Sequence, residues 1–189
     1  MHRRTFLQFS LLAPAAASVR PLWAGALCPT PPDDAPAKAV LVRRQQDRNN
    51  QPFKFLDASF TVKVSGRDTG GRYVIFDTLR PAKVGPALHY HKDCDEWFCV
   101  EEGEFKFQAG PETMRLQAGD TLLVPRGVAH TFIKTSEGVA RLLVMHQPAG
   151  TMEEYFRTAS QLADQSLEGR RALAAQHDIH IVGPALKPD

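Results

Sequence analysis

Between residues 53 and 148 the apolar positions fall in short runs, each cut off by turn residues. In FLDASFTVKV, Phe60, Val62 and Val64 recur at every second position, the period of a strand with one buried face. GRDTGG (66–71) reads as a turn and leads into RYVIFDTL. LHYH and EWFCV follow, then EFKFQ after Glu102-Gly103. AGPE leads to TMRLQ and AGD to TLLVP; HTFIK and ARLLVMH close the series. About nine strands at eight-to-twelve-residue spacing predict an all-β sandwich or barrel. The tail changes period. Thr151 and Glu154 have the spacing of a capping box. Met152, Tyr155, Phe156, Ala159 and Leu162 then recur at helical intervals, and a second helix is expected from about Leu167 to Gln176. IVGPAL ends the chain as an extended segment. There is no internal repeat.

The first residues read as an address. Arg3 and Arg4 precede a modestly apolar run from Phe6 to Val19, and Ala24-Gly25-Ala26 offers a cleavage site. Gln8, Ser10 and Pro14 make the run too short and too polar to span a membrane. RRTFLQ resembles the twin-arginine signal at Arg3, Arg4, Phe6 and Leu7, with Gln8 in place of the usual Lys and His2 in place of Ser or Thr. The resemblance implies export of an already folded protein to the periplasm or beyond. Leu27 before Cys28 is too large for a lipobox. PTPPDDAPAK (29–38) reads as a flexible linker. The expected division is a signal at 1–26, a linker and first strand at 27–52, a barrel at 53–148, and helices with an extended tail at 149–189.

Composition narrows the function classes. The chain has 189 residues, a formal net charge of +2 and 43% hydrophobic residues, as expected for one soluble domain. Without Arg3, Arg4 and Arg20 the balance is near neutral. That gives no electrostatic case for nucleic acid or an anionic membrane. Cys28, Cys94 and Cys99 are too few for a disulfide framework. Cys94 and Cys99 read as idle thiols, though their spacing leaves pairing open.

The chemistry concentrates in HYHKDCDE, residues 89–96. On a strand, His89 and His91 point the same way and Tyr90 points away. Lys92 to Asp95 reads as a polar turn, and Glu96 opens the next strand. A hairpin would then bring two imidazoles and a carboxylate together, a donor set resembling the facial triad that suits divalent iron and similar metals. Any one of these residues alone would read as a surface side chain; the trio reads as a cation site. Downstream, GDTLLVPRGVAHTF (119–132) places Pro125, Gly127 and His130 behind Gly119.

Together these segments resemble the two motifs of the cupin superfamily over about residues 55–148. His89, His91, Glu96 and Gly103 match the first motif; Gly119, Pro125, Gly127 and His130 match the second. Gly85 stands four positions before His89 instead of six, and Lys134 stands where the second motif usually has Asn. Lys134 is read as altering the pocket rim or doing nothing. The resemblance implies an all-β, single-domain jelly-roll barrel of six to eight strands, with a C-terminal helical tail. It implies His89, His91, Glu96 and His130 as ligands of one divalent transition metal (iron, manganese, nickel, copper, cobalt or zinc), with about two positions open.

Phe98, Phe132 and Met145, with Leu122 and Val124, are candidates for the barrel interior, and the first three for a substrate pocket. His146 lies on the last strand with its face unassigned. His177 and His180 read as exposed, and Cys94 as a solvent-facing turn residue. The small single-domain form resembles the quercetin 2,3-dioxygenase-like group. This implies dioxygenase chemistry on a small hydroxylated aromatic, with Glu96 as the base. The alternatives are a non-redox cupin isomerase or decarboxylase, and a non-catalytic ligand-binding barrel. The expected partner is a small-molecule substrate; a homodimer stays open.

Overall fold

Alternating side chains build the barrel in the computed structural model, which describes residues 39–163 and 166–188, all within one structural unit. The expected signal (1–26), Cys28 and the linker at 29–38 lie outside the described residues. The strands are β1 (Phe53–Phe55), β2 (Ala58–Val64), β3 (Val74–Arg80), β4 (Ala87–Tyr90), β5 (Asp95–Glu102) and β6 (Glu104–Ala109). They continue with β7 (Glu112–Gln117), β8 (Thr121–Val124), β9 (His130–Lys134), β10 (Ala140–Gln147) and β11 (His180–Ala185). Helices α1 (Met152–Ser160) and α2 (Leu167–Gln176) lie before β11.

One antiparallel sheet runs β1-β2-β3-β10-β5-β8, and the other β11-β4-β9-β6-β7. This two-sheet jelly roll with helices in its tail is the fold the sequence resemblance implies. Eleven described strands exceed the nine expected, because Phe53–Phe55 and the extended tail segment both pair. Residues 39–52 were expected to hold a first strand and carry only turns. Asp47 claims their backbone instead: its carboxylate accepts the N–H groups of Asn49, Gln51 and Val62 at 2.7–3.0 Å.

The period-2 pattern divides the interior into two apolar clusters. Phe98 and Val100 of β5, Phe105 and Phe107 of β6 and Phe132 of β9 fill one end. There the Phe98 ring meets those of Phe107 and Phe132 at 5.0 and 5.6 Å, within the range for favourable aromatic pairs. Phe60 of β2 and Phe76 of β3 fill the other end, roofed by Met152 and Tyr155 of α1 and by Ile179. Each fully buried phenylalanine contributes about 1.5–3 kcal/mol.

Three local expectations are corrected. Thr151 makes no side-chain cap hydrogen bond; its hydroxyl instead shares a 2.8 Å hydrogen bond with His177 Nδ1. His177, expected to be exposed, is therefore buried against Tyr155. Lys134 is nowhere near a pocket rim: it is buried, and its ammonium ties the carbonyls of Pro81 and Gly138.

Glycine is required where the chain before β4 crosses β9. A Cβ on Gly85 would stand 1.6 Å from the Phe132 carbonyl oxygen. One residue on, the Pro86 carbonyl accepts the Thr131 hydroxyl at 2.7 Å. This approach sets β4 against β9, where His89 pairs with His130. Gly85→Ala should destabilise the fold by on the order of 3 kcal/mol through overpacking against immovable backbone. Urea unfolding checks this, and an unchanged midpoint would show that the crossing has slack.

Candidate metal centre

Four side chains that the motifs single out converge from both sheets. His89 comes from β4 and His130 from β9; His91 follows β4 directly, and Glu96 belongs to β5. β4 and β5 lie in different sheets, so the expected hairpin does not form. Residues 91–94 instead cross from one sheet to the other, and the imidazoles face the carboxylate across the barrel. The second motif closes the corner: the Gly127 N–H, at a positive φ of 81°, donates to the His91 carbonyl at 2.6 Å.

Ligand atoms of His89, His91, Glu96 and His130 all lie within 4.8 Å of one another, and all four residues are buried. Each ring is held from behind. Nδ1 faces a backbone carbonyl in every case: Ala87 for His89 at 2.8 Å, Asp178 for His91 at 2.8 Å and Val128 for His130 at 3.0 Å. A carbonyl only accepts, so Nδ1 carries the proton and Nε2 presents a bare lone pair. Two of those lone pairs meet Glu96 Oε2, at 3.2 Å for His91 and 2.7 Å for His130. Lone pairs facing a carboxylate at such distances repel it until a proton or a metal cation stands between them. The donor set therefore fits a divalent transition metal with bonds of about 2 Å, and it could hold several of them.

The electrostatics agree. Burial, reinforced by His130, lowers the His89 pKa to about 3, so this ring is neutral and ready to ligate. Burial also disfavours charge on His91, but Cys94 and Glu96 outweigh it and raise its pKa to about 11. Without a metal, His91 thus carries the bridging proton. Burial alone would raise the Glu96 pKa; His146, His130 and His91 overcome that and hold it well below the usual carboxylate range.

Three residues around the ligands were misread or left open. His146 points inward: its Nε2 lies 3.2 Å from Glu96 Oε1 and its Nδ1 has no partner among the described residues. It alternates with Leu142 and Val144 on the buried face of β10, but Leu143 and Met145 are apolar too, so the face could not be read from the pattern. Cys94 is buried, not solvent-facing, because the crossing between sheets turns its thiol toward His91. It forms a second potential group with His91 and Asp178 that shares His91 with the first. Both described cysteines are free thiols. Asp178 was overlooked. Its carbonyl holds His91, and its carboxylate caps the N–H groups of Lys92 and Asp93 at 2.8 and 2.9 Å.

A cavity of about 390 Å³ opens onto His89, His91, Glu96 and His146, walled by Phe55, Phe60, Phe132 and Phe156. Phe132 thus lines it as expected. Phe98 does not: it is fully buried in the other apolar cluster. Met145 does not either, because alternation along β10 buries Val144 and His146 and turns Met145 to the opposite face. Residues of α1 and α2 roof the cavity. Among the described residues no helix is long and apolar enough to cross a membrane.

Comparisons with known proteins bear on the fold. Residues 76–146 match the family model described as the Cupin domain. An uncharacterized protein of Bacillus subtilis, YdbB, is 38% identical over 68 residues, which cover 34% of this chain and 57% of that protein. The chain thus matches little more than half the length of that relative. A predicted oxalate decarboxylase of Thermotoga maritima superposes with a TM-score of 0.52 at 16% identity, over 58% of this chain and 99% of that one. KdgF of a Halomonas species gives 0.49 at 14% identity, over 59% and 94%. The fold is cupin-like, and the family match supports the cupin superfamily.

Metal binding must displace the proton on His91, so affinity should rise with pH, by about tenfold per unit while one proton is released. Asp178→Ala keeps the backbone carbonyl behind His91 but uncaps the Lys92 and Asp93 N–H groups. The crossing that carries His91 should then loosen, and metal affinity should fall by about tenfold. Competitive titration of zinc between pH 6 and 8 reads both. A pH-independent affinity, or an Asp178→Ala value equal to wild type, would contradict this geometry.

Proposed function

We propose that the protein is a metal-dependent cupin oxygenase, specifically a dioxygenase acting on a small hydroxylated aromatic, of the quercetinase-like kind. The observation that carries this reading is a cavity walled by aromatic rings that opens onto three members of the three-histidine, one-carboxylate group: His89, His91 and Glu96. Concave apolar sites with a few convergent polar groups are the usual form of small-molecule sites. A structural metal site is usually closed, whereas this donor set opens on a cavity.

A bound redox-active metal would supply Lewis acidity and a route for electrons to dioxygen. The chain's own residues bring the rest. Phe60, Phe132 and Phe156 offer flat apolar walls that orient an aromatic ring and exclude water. Glu96 is ionised and buried, so it can accept the proton of a phenolic hydroxyl. His146 is kept neutral chiefly by burial, despite the Glu96 charge. Its Nε2–H donates to Glu96 Oε1, which fixes the carboxylate and leaves Oε2 facing the ligand group.

Oxygen uptake over a panel of phenolic compounds tests the reading. Wild type should consume oxygen with at least one of them, and His130→Ala should not. Glu96→Gln should lower turnover by about 100-fold or more in protein shown to retain metal. Product formation indifferent to oxygen would assign the site to isomerase or decarboxylase chemistry. Stabilisation by ligand without product would leave a binding protein.

A further inference from the structure

The geometry points to Arg80 as the anchor for a carboxylate, so the cavity takes a small aromatic acid. This rests on the reading of the cavity as the substrate site.

Arg80 ends the inward row of β3, after Val74, Phe76 and Thr78. Its side chain is buried, and its guanidinium carbon lies 4.7 Å from the Phe132 ring centroid and 5.8 Å from that of Phe60. Both rings line the cavity, as Arg80 itself does. The cation is poorly matched by the protein. Nε donates to the Thr78 hydroxyl at 3.3 Å. Asp57 Oδ1 is 3.9 Å from Nη1, beyond hydrogen-bonding reach, and has no hydrogen-bond partner of its own. Among the described residues the terminal guanidinium nitrogens have no acceptor. A guanidinium offers five N–H groups in a planar fork, and a buried charge without hydrogen bonds is costly.

The cavity wall repeats the bias. Lys54 and Arg170 also line it, and Glu96 is the one acid there among the described residues. Burial lowers the Arg80 pKa to about 10, with Asp57 and Glu96 opposing the drop, so the group is charged at neutral pH. Its response to Glu96 places it within electrostatic reach of the ligand group. An aromatic ring between the phenylalanines could then offer a hydroxyl toward Glu96 and a planar carboxylate to the fork, the geometry a guanidinium matches with two parallel hydrogen bonds. A phosphate would bring more charge into a small, apolar space. Nothing in the sequence flagged Arg80, since an arginine before Pro81 at a strand end reads as a surface residue.

Calorimetric titration of the full chain, stripped of metal with a chelator, tests this with benzoate and its neutral isostere benzamide. Stripping removes any carboxylate–metal contact from the comparison. Benzoate should bind at least about tenfold more tightly than benzamide. Arg80→Gln should abolish that preference, and Arg80→Lys should restore part of it. Inorganic phosphate should not displace benzoate. Equal affinity for the two probes, an undiminished preference in folded Arg80→Gln, or displacement by phosphate would overturn the inference. If Arg80→Gln does not fold, Arg80→Lys decides: a benzoate preference below that of wild type is expected, and an undiminished one would overturn the inference. Arg80-dependent benzoate binding without oxygen uptake on any phenolic acid would sink the oxygenase reading only. Oxygen uptake on neutral phenols with no benzoate preference would sink this inference only.

Discussion

Three backbone carbonyls organise the centre of this protein. By occupying Nδ1 of His89, His91 and His130, they fix each ring's tautomer and leave the Nε2 lone pairs of His91 and His130 against one carboxylate. Such an arrangement is repulsive unless a cation stands inside it. The barrel therefore holds a site whose parts oppose one another until it is loaded, by a proton on His91 or by a metal. Preorganisation of this kind is bought with burial: the two apolar clusters press on the polar group from both ends. Phe98 reaches His130 from one side, and Phe76 and Phe156 reach His146 from the other.

The ligands do not share one sheet, and this has consequences. His89, His91 and Glu96 are close in sequence, yet a crossing between facing sheets separates the histidines from the carboxylate. The distance between sheets thus sets the distance between donors. The tail takes part as well. Asp178, at a positive φ of 60°, braces both His91 and the crossing, and β11 extends the sheet that carries His89. A change in the tail is felt at the metal ligands.

Much of this was legible in the residues. Period-2 runs and turn glycines located the barrel strands, and the tail helices showed in their apolar spacing. His89, His91 and Glu96 stood out by residue type and spacing, and His130 joined them through the resemblance to the cupin motifs. What could not be read depended on contacts across the fold. His146 sits in a strand where both faces are apolar, so alternation did not choose a side. Met145 was misplaced for the same reason. Cys94 and His177 looked polar and peripheral, and become buried only when the sheet crossing and α1 close over them. Arg80 and Asp178 are ordinary in sequence; their roles come from what the opposite sheet and the tail present to them. Gly85 departed from motif spacing, yet its position is fixed by a backbone approach no motif describes.

The claim on which all of this rests is that the converging lone pairs hold one metal ion. Elemental analysis of purified full-length protein, after exposure to manganese, iron, cobalt and zinc in turn and removal of excess, tests it most directly. About one equivalent per chain of at least one of these metals, absent from folded His91→Ala, is the expected result. Folded wild-type protein that retains none of them would contradict it.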